Sequence, residues 1–518
     1  MSNPDNGSGA TFFGHPRGLA TLFFTEMFER FSYYGMRALL ILFMTKAIMD
    51  GGLGIDDQNA GAIYGLYTMG VYLLALPGGW IADRLLGLKR SVWWGGIIIA
   101  LGHFTIAIPG FIEVLGMNPA ETVTKLDTYP FFLGLILVAA GTGLLKPNVS
   151  SVVGSLYPES ESAKRDAGFS IFYSGINIGA LFGPLIASSL GEGINWHLGF
   201  GAAGLFMVFG LIQYRYTEKY LDGIGDAPTF ETEDEIAAKN KIVRNLSIAL
   251  GLSILVIVLA FSGIIPIDAV YIADISGYLI VGSALLFLGY VAFFGGLNDD
   301  EKKKVGAIGI VFVFSAMFWS GFEQAGSTLN LFADRFTNRE FLGFTIAAGA
   351  FQSINALFII IFAPIFGAMW VWLARKNLEP SSPLKFALGL ILLGIGFLVM
   401  FFAAKIAASG DLAAPTWLIF TYLFHTFGEL SLSPVGLSLT TKLAPKKYYG
   451  QMMGVWFMSV SLGNLIAGRI GGEISGESTE ALAQMPDQYL MIVYTTVGAG
   501  FLLLLLIKPM KKLMGNVH

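Results

Sequence analysis

The sequence predicts an all-α integral membrane protein. Only 13% of the 518 residues are charged and 54% are hydrophobic, whereas about 25% of the residues of an ordinary soluble domain are charged. Glycine and phenylalanine are frequent, with 65 and 43 residues, as is typical of closely packed membrane helices. Long apolar runs of about 20 residues, the length that crosses a bilayer as a helix, recur along the whole chain. The lipid bilayer is therefore the predicted solvent.

The apolar runs are separated by charged residues or by proline and glycine, and they predict about fourteen transmembrane helices. The predicted segments lie at about 18–48, 57–83, 90–113, 129–155, 165–190, 196–216, 243–263, 270–295, 306–331, 341–373, 384–405, 415–441, 449–470 and 487–508. A polar, acidic stretch at 217–241 follows the sixth segment, and the basic run 302–304 follows the eighth. The segments therefore fall into groups of six, two and six.

Lysine and arginine collect in alternate loops, and this predicts the orientation of the chain because positive residues resist translocation. The basic loops, at 84–90, 164–165, 302–304 and 442–447, should face the cytoplasm. The intervening loops, with acids such as Asp56, Asp57 and Glu480, should face outward. The first 17 residues lack the apolar core of a secretory signal. Together with an even number of crossings, this places both termini in the cytoplasm.

Composition and motifs also argue against several functions. A net charge of −4 does not give the basic surface that a nucleic acid requires. The chain has no cysteine, and its five histidines are not spaced as metal ligands, so no metal or other cofactor is expected. There is no phosphate-binding Gly-x-x-x-x-Gly-Lys-Ser/Thr loop and no nucleophile-elbow pattern. We therefore predict that the chain is not an enzyme and that a gradient supplies its energy.

The first helix carries a polar stripe, which is unusual because a charge at mid-membrane costs at least about 2.5 kcal/mol. At 3.6 residues per turn, one face of this helix holds Glu26, Glu29, Arg30, Tyr33 and Arg37, with Tyr34 at its edge. One interpretation is that Glu26 and Arg30 simply neutralise each other at i and i+4. The stripe has more donors and acceptors than one such pair needs, which favours a polar cavity.

Three further ionisable residues lie within apolar segments. Lys146 is far in sequence from other charges and needs a partner on another helix, either as part of a proton relay or in a fixed ion pair with Glu26 or Glu29. Glu323 and Glu429 are predicted to face a cavity, with structural ion pairs as the alternative. Weaker signals come from four polar or aromatic residues, Asn177, Asn355, Trp319 and Trp456.

Several motifs resemble those of the proton-coupled oligopeptide transporters, the POT or PTR family. Residues 26–34 match the pattern Glu-x-x-Glu-Arg-Phe-x-Tyr-Tyr, and residues 172–179 are similar to Phe-Tyr-x-x-Ile-Asn-x-Gly. Gly428-Glu429-Leu430, followed by Ser433 and Pro434, agrees as well. Residues 78–90 resemble a loop motif of the major facilitator superfamily. The matches extend over much of the chain.

The resemblance implies a major facilitator fold with two six-helix bundles around a cavity, which gives alternating access by rocking. The N-terminal bundle would be 1–216, the cytoplasmic linker with two accessory helices 217–304, and the C-terminal bundle 305–518. The implied activity is symport of protons with di- and tripeptides, by a protein that functions as a monomer. The same-fold alternative is a transporter of nitrate or another small anion, which an acid at Glu429 disfavours.

The resemblance also implies roles for individual residues. The proton-coupling residues would be Glu26, Glu29, Arg30, Lys146 and Glu323. The peptide-binding residues would be Arg37, Tyr34, Tyr72, Lys146, Tyr173, Asn177, Trp319, Asn355, Glu429, Ser433 and Trp456. Of these, Arg37 and Lys146 would attract the peptide carboxylate, Glu429 would receive the amino group, and Glu323 would be able to pair with Arg37.

One position departs from the mammalian members of the family. These carry a proton-handling histidine in the second helix, and the corresponding residue here is Gly65. Proton coupling would then rest on the carboxylates. The chain also lacks a large outer insertion between the ninth and tenth helices of the two bundles, and by analogy with the family this absence implies a bacterial inner membrane.

Overall fold

The computed structural model describes residues 11–114, 125–474, 476 and 478–515, so the extreme N-terminus lies outside the described residues. The α-helices are α1 (Arg17–Thr45), α2 (Asp57–Leu73), α3 (Ala75–Ile81), α4 (Leu88–Val114), α5 (Lys125–Ser155), α6 (Ser162–Gly193), α7 (Trp196–Thr217), α8 (Glu233–Phe261), α9 (Ala269–Phe294), α10 (Asp299–Phe322), α11 (Thr328–Phe336), α12 (Ser353–Arg375), α13 (Ser382–Ala408), α14 (Thr416–Leu443), α15 (Tyr449–Ile474), α16 (Thr479–Leu505) and α17 (Ile507–Met514). The strands are β1 (Glu340–Phe341) and β2 (Phe344–Thr345).

Twelve helical segments of the described chain are long and apolar enough to cross a membrane. Two other helices, α1 and α14, are equally long at 29 and 28 residues. Helix α1 carries the charged stripe and α14 carries Glu429. These polar residues lower the mean hydropathy of both helices below that of the twelve. The predicted all-α membrane fold is confirmed.

We name the two ends of the helices after residues that lie there. The Asp57 end contains the end of α1 and the start of α2. The Lys442 end contains the start of α1 and the end of α14.

The acidic stretch at 217–241, predicted as a solvated linker, is partly helical. Helix α8 begins at Glu233, about ten residues before the predicted segment, because Thr232 and Glu235 form a capping box. The Thr232 hydroxyl accepts a hydrogen bond from the Glu235 amide at 3.3 Å, and the Glu235 carboxylate accepts one from the Thr232 amide at 3.0 Å. Three acids in the first turn also suit the positive end of the helix dipole.

The predicted segment 341–373 begins too early. Residues 340–345 form an antiparallel hairpin whose turn, Leu342 and Gly343, has φ angles of 50° and 82°, the left-handed conformation that two-residue hairpins favour. A 3-10 turn at Ala348–Gln352 then leads into α12. The preceding segment is also interrupted, since α10 ends at Phe322 and a 3-10 turn at Glu323–Gly326 separates it from α11. Glu323 therefore lies at a break between helices.

Helices α2 and α15 approach each other closely through glycines. A Cβ atom on Gly61 would lie 2.8 Å from the Cα atom of Gly472 and against the carbonyl oxygen of Gly468. A Cβ atom on Gly65 would lie 2.8 Å from the carbonyl oxygen of Leu465. The contact joins the first half of the chain to the second toward the Asp57 end. It also gives a physical reason for glycine at position 65, because a histidine side chain has no room there.

Substitution of these glycines should destabilise the protein. We expect Gly61→Ala to lower the melting temperature in detergent, because overpacking a tight contact costs about 1–3 kcal/mol. The matched control is Gly70→Ala in the same helix, where a Cβ atom meets nothing within 4 Å. Equal melting temperatures of the two variants would contradict the close packing of α2 on α15.

Candidate functional site

A buried cluster of three charges lies on α1. The Nε atom of Arg30 is 2.8 Å from Oε1 of Glu26 and 2.6 Å from Oε2 of Glu29. Each of these residues is at most 3% exposed. Two carboxylates thus share one guanidinium, so these three side chains together carry one excess negative charge.

Lys146 lies near this cluster but does not join it. Its Nζ atom is 3.8 Å from the centroid of the Tyr72 ring, so α5 and α2 meet through a cation–π contact. Lys146 interacts electrostatically with Glu29 and Glu26, yet it belongs to none of the ion pairs found within the described residues. The alternative of a fixed ion pair with either acid is therefore not what the structure shows.

Arg37 connects α1 to the second half of the chain. Its Nη1 atom is 2.7 Å from Oε2 of Glu323, and its Nη2 atom donates to Oε1 of Gln352 at 3.3 Å. The guanidinium also lies 5.1 Å from the centroid of the Tyr34 ring. Arg37 and Glu323 are 6% and 3% exposed. The structure thus contains the pair that the family resemblance implied, while Gln352 was not predicted.

Glu429 and Asn355 face each other between α14 and α12. The Nδ2 atom of Asn355 donates to Oε2 of Glu429 at 3.1 Å and to the Thr426 hydroxyl at 3.0 Å. Glu429 is only partly buried, and no ion pair within the part of the chain that the structure describes includes it. A cationic group can therefore approach this carboxylate.

The remaining predicted site residues do not join the charged groups described above. Tyr173 is 50% exposed on α6, and the side-chain amide of Asn177 donates to the Tyr173 carbonyl oxygen at 3.0 Å within the same helix. Trp456 is buried against α14 beside Gly436, whereas Trp319 is partly buried. Ser433 is partly exposed. Within the described residues, no hydrogen bond connects these side chains to the charged residues above.

Sequence reasoning missed two charge contacts that close the Asp57 end. Arg335 makes two hydrogen bonds to the Asp57 carboxylate, at 2.7 and 2.8 Å. Glu192 lies 3.2 Å from Arg339 and also accepts hydrogen bonds from the amides of Ala348 and Gly349, at 2.7 and 2.9 Å. Both acids lie at helix ends, where a charged residue is easily interpreted as part of a solvent-exposed loop. Nothing in the sequence indicates that either acid pairs with an arginine far along the chain.

The two halves are therefore joined toward the Asp57 end. Arg37, Asp57 and Glu192 all contribute to this closure from the first half. Tyr173, in the part of α6 nearer the Lys442 end, is half exposed. Within the described residues, the ion pairs between the two halves all lie toward the Asp57 end.

The chain is similar to known proteins over nearly its whole length. A family model described as PTR2, POT family, matches residues 89–482. The peptide transporter YePEPT of Yersinia enterocolitica is 40% identical over 98% of this chain and 97% of its own. A di-/tripeptide transporter of Lactococcus lactis is 36% identical over 99% of both chains. The crystal structure of a POT family transporter in complex with a thioalcohol-conjugated peptide has a TM-score of 0.84 and 32% identity, over 96% of this chain and 98% of that one.

The Arg37–Glu323 pair should behave as a coupled unit in stability measurements. Arg37→Leu leaves a buried carboxylate without its cation, which typically costs about 3–5 kcal/mol. The double variant Arg37→Leu/Glu323→Leu removes both charges and should recover much of the lost melting temperature in detergent.

Additive losses in the double variant would show that the two side chains are not coupled. The control is Lys302→Ala, which breaks an exposed ion pair with Asp299 at 3.3 Å. That substitution should change stability by less than about 1 kcal/mol.

Proposed function

Because the chain belongs to the POT family, we propose that it imports di- and tripeptides together with protons by alternating access. The predicted family and the predicted major facilitator-type membrane fold are both confirmed by the comparisons. The family is a transporter family, and its relatives include named peptide transporters. The observation that carries the proposal is the buried cluster of Glu26, Glu29 and Arg30, with its one excess negative charge beside Lys146.

Proton coupling follows from the charge balance of this cluster. When the cluster is charged, Lys146 is attracted to it electrostatically. When one carboxyl takes up a proton, this attraction weakens, and the Lys146 ammonium becomes available to another anion. A peptide carboxylate is such an anion, so proton binding and peptide binding favour each other. Protons are then the coupling ion, and no metal or organic cofactor takes part.

The orientation of the bound peptide follows from the opposite charges on the two sides of the cavity. Lys146 on α5 and Arg37 on α1 provide positive charge on one side. Glu429 provides a carboxylate on the other side, from α14, supported by Asn355. A zwitterionic peptide fits this polarity, because its carboxylate and amino group lie at opposite ends. The two charged termini set the backbone length that is accepted, whereas the side chains between them are tolerated.

We place the protein in a bacterial inner membrane with the Lys442 end toward the cytoplasm. The basic loops lie at this end, as positive residues in cytoplasmic loops should. Both termini are then cytoplasmic, and the monomer is the functional unit. The cavity would face the cytoplasm, and its outward opening requires the pairs Arg37–Glu323, Asp57–Arg335 and Glu192–Arg339 to separate.

The first test separates coupling from transport itself. In liposomes with an inward proton gradient, the wild type should accumulate a labelled alanine dipeptide. Glu29→Gln should lose this accumulation but retain exchange of labelled for unlabelled dipeptide, because exchange needs no net proton movement. Glu480→Gln, an exposed acid at the start of α16, is the matched control and should behave as wild type.

Failure of folded wild-type protein to accumulate dipeptide would contradict the proposal and direct attention to small anions. Undiminished accumulation by Glu29→Gln would leave peptide transport standing and remove the proposed coupling residue.

A second test concerns the peptide amino group. Wild type should prefer dialanine to N-acetyl-dialanine, which has no cationic amino group. Glu429→Gln should raise the KM for dialanine roughly 10- to 100-fold, the effect of losing one charged hydrogen bond. It should raise the KM for the acetylated peptide much less. An equal rise for both peptides would show that Glu429 does not receive the amino group.

A further inference from the structure

Helix α9, the second of the two accessory helices, packs against both halves of the chain. It contacts α2 of the first half and α10 and α15 of the second half. Since α2 and α15 also meet each other through glycines, α9 lies along the seam between the halves. Its other face exposes large apolar side chains such as Leu279, Leu286 and Phe293, which suit contact with lipid. The buried residues of α9 lie on one helical face: Ala269, Ala273, Ile280, Ala284, Leu288 and Val291.

An ion pair fastens α9 to the second half near the start of the helix. The Nε atom of Arg469 in α15 is 3.0 Å from Oδ1 of Asp274 in α9. Arg469 lies three residues before Gly472, where a Cβ atom would be 2.5 Å from the carbonyl oxygen of Asp57. This ion pair is therefore at the Asp57 end.

Hydrogen bonds fasten the other end of α9 to the second half as well. Gly295 follows the last residue of the helix. Its carbonyl oxygen accepts a hydrogen bond from Nζ of Lys447 at 3.1 Å and one from the Tyr448 hydroxyl at 3.2 Å. Polar contacts thus hold α9 to the second half near both of its ends.

The contact between α9 and the first half is of a different kind. Ala62 of α2 packs in one cluster with Ala269 and Ala273 of α9 and Leu465 of α15. Within the described residues, no ion pair or hydrogen bond connects α9 to α2. Burial of apolar surface has no preferred direction, whereas hydrogen bonds depend on distance and angle. This small-residue contact therefore permits sliding that the polar contacts with the second half oppose.

Helix α8, the first accessory helix, is attached to the first half. Every residue of α8 is at least partly exposed. At its end, the carbonyl oxygen of Phe261 accepts a hydrogen bond from the Tyr129 hydroxyl at 2.6 Å, and the two rings stack with their centroids 4.8 Å apart. Tyr129 belongs to α5 of the first half. The connection 262–268 therefore joins a helix fastened to the first half to one fastened to the second.

We propose that α9 moves as part of the second half and that α2 slides along it when the Asp57 end opens. The proposal rests on the alternating access of the proposed function, in which α2 and α15 part at this end. Helix α9 then lies across the gap between them on the lipid side. The connection 262–268 takes up the displacement, because the end of α8 stays with the first half.

Three spin-label distances test the proposal. The chain has no cysteine of its own, so labels can be attached to Gln58→Cys in α2, Tyr278→Cys in α9 and Glu473→Cys in α15, all at exposed positions. Electron paramagnetic resonance measures them in pairs, with and without Glu323→Gln to favour opening. The distances from the α2 label to the α15 label and to the α9 label should shift to longer values in Glu323→Gln. The distance between the α9 and α15 labels should stay the same.

The outcome for α9 is read against the distance between α2 and α15. If that distance lengthened but the α9 label stayed at its original distance from the α2 label, α9 would move with the first half and the proposal would be overturned. Lengthening of all three distances would overturn it too. If none lengthened, the proposal would fall together with the alternating access on which it rests.

Reversible cross-linking tests the same assignment through function. A bifunctional methanethiosulfonate reagent that joins Ala62→Cys to Ala269→Cys should abolish dipeptide exchange, and dithiothreitol should restore it. The matched control joins Asp274→Cys to Arg469→Cys and should leave exchange unchanged. Continued exchange in the first cross-linked variant, or reversible loss in the second, would overturn the proposal. The spin-label distances require no transport, so they test α9 separately from peptide import.

Discussion

The cost of burying charge in a bilayer organises this structure. Helix α1 carries Glu26, Glu29, Arg30 and Arg37 on one face, and all four are at most 6% exposed. Such residues persist inside a membrane only when partners satisfy them. Arg30 is satisfied within α1 itself, by two acids. Arg37 forms its ion pair and hydrogen bonds across the molecule, with Glu323 and Gln352 of the second half. The helix that contains the charges therefore also holds the two halves together.

Under the proposed function, this arrangement would connect proton uptake to closure of the Asp57 end. Arg30 and Arg37 are about 10 Å apart along one rigid helix, at 1.5 Å per residue. A change in charge at the Arg30 cluster and a change in the Arg37 pair therefore act on the same element. The pairs Asp57–Arg335 and Glu192–Arg339 lie further toward the Asp57 end and close it beyond Arg37. In this account the three pairs form one two-state element that rocking of the bundles must break.

The sequence predicted well what depends on hydropathy and helical periodicity. The long helices and the charged face of α1 follow from runs of about 20 apolar residues and from a spacing of 3.6 residues. Segment limits were less accurate where local turns matter, as at the capping box of α8 and the hairpin at 340–345. A two-residue hairpin within an apolar stretch has no effect on average hydropathy.

Contacts between side chains far apart in the sequence could not be predicted, except where the family motif implied them. The motif pointed to Glu323 for Arg37, but nothing indicated Gln352, which lies 315 positions further along the chain. Lys146 was expected to need a partner on another helix, and its contact turned out to be the Tyr72 ring. The roles of Tyr173, Asn177, Ser433, Trp319 and Trp456 stay predictions, since their positions alone do not assign them to a peptide.

The most direct measurement of the closed Asp57 end is the accessibility of a single cysteine. The chain has no cysteine of its own, so Tyr173→Cys introduces one reactive thiol in the half-exposed part of α6. A membrane-impermeant maleimide should label it from the cytoplasmic face, in inverted vesicles, and not from the outer face of intact cells. Adding Glu323→Gln should allow labelling from the outer face, because Arg37 then loses its charged partner. Equal labelling from both faces without that second substitution would contradict the account.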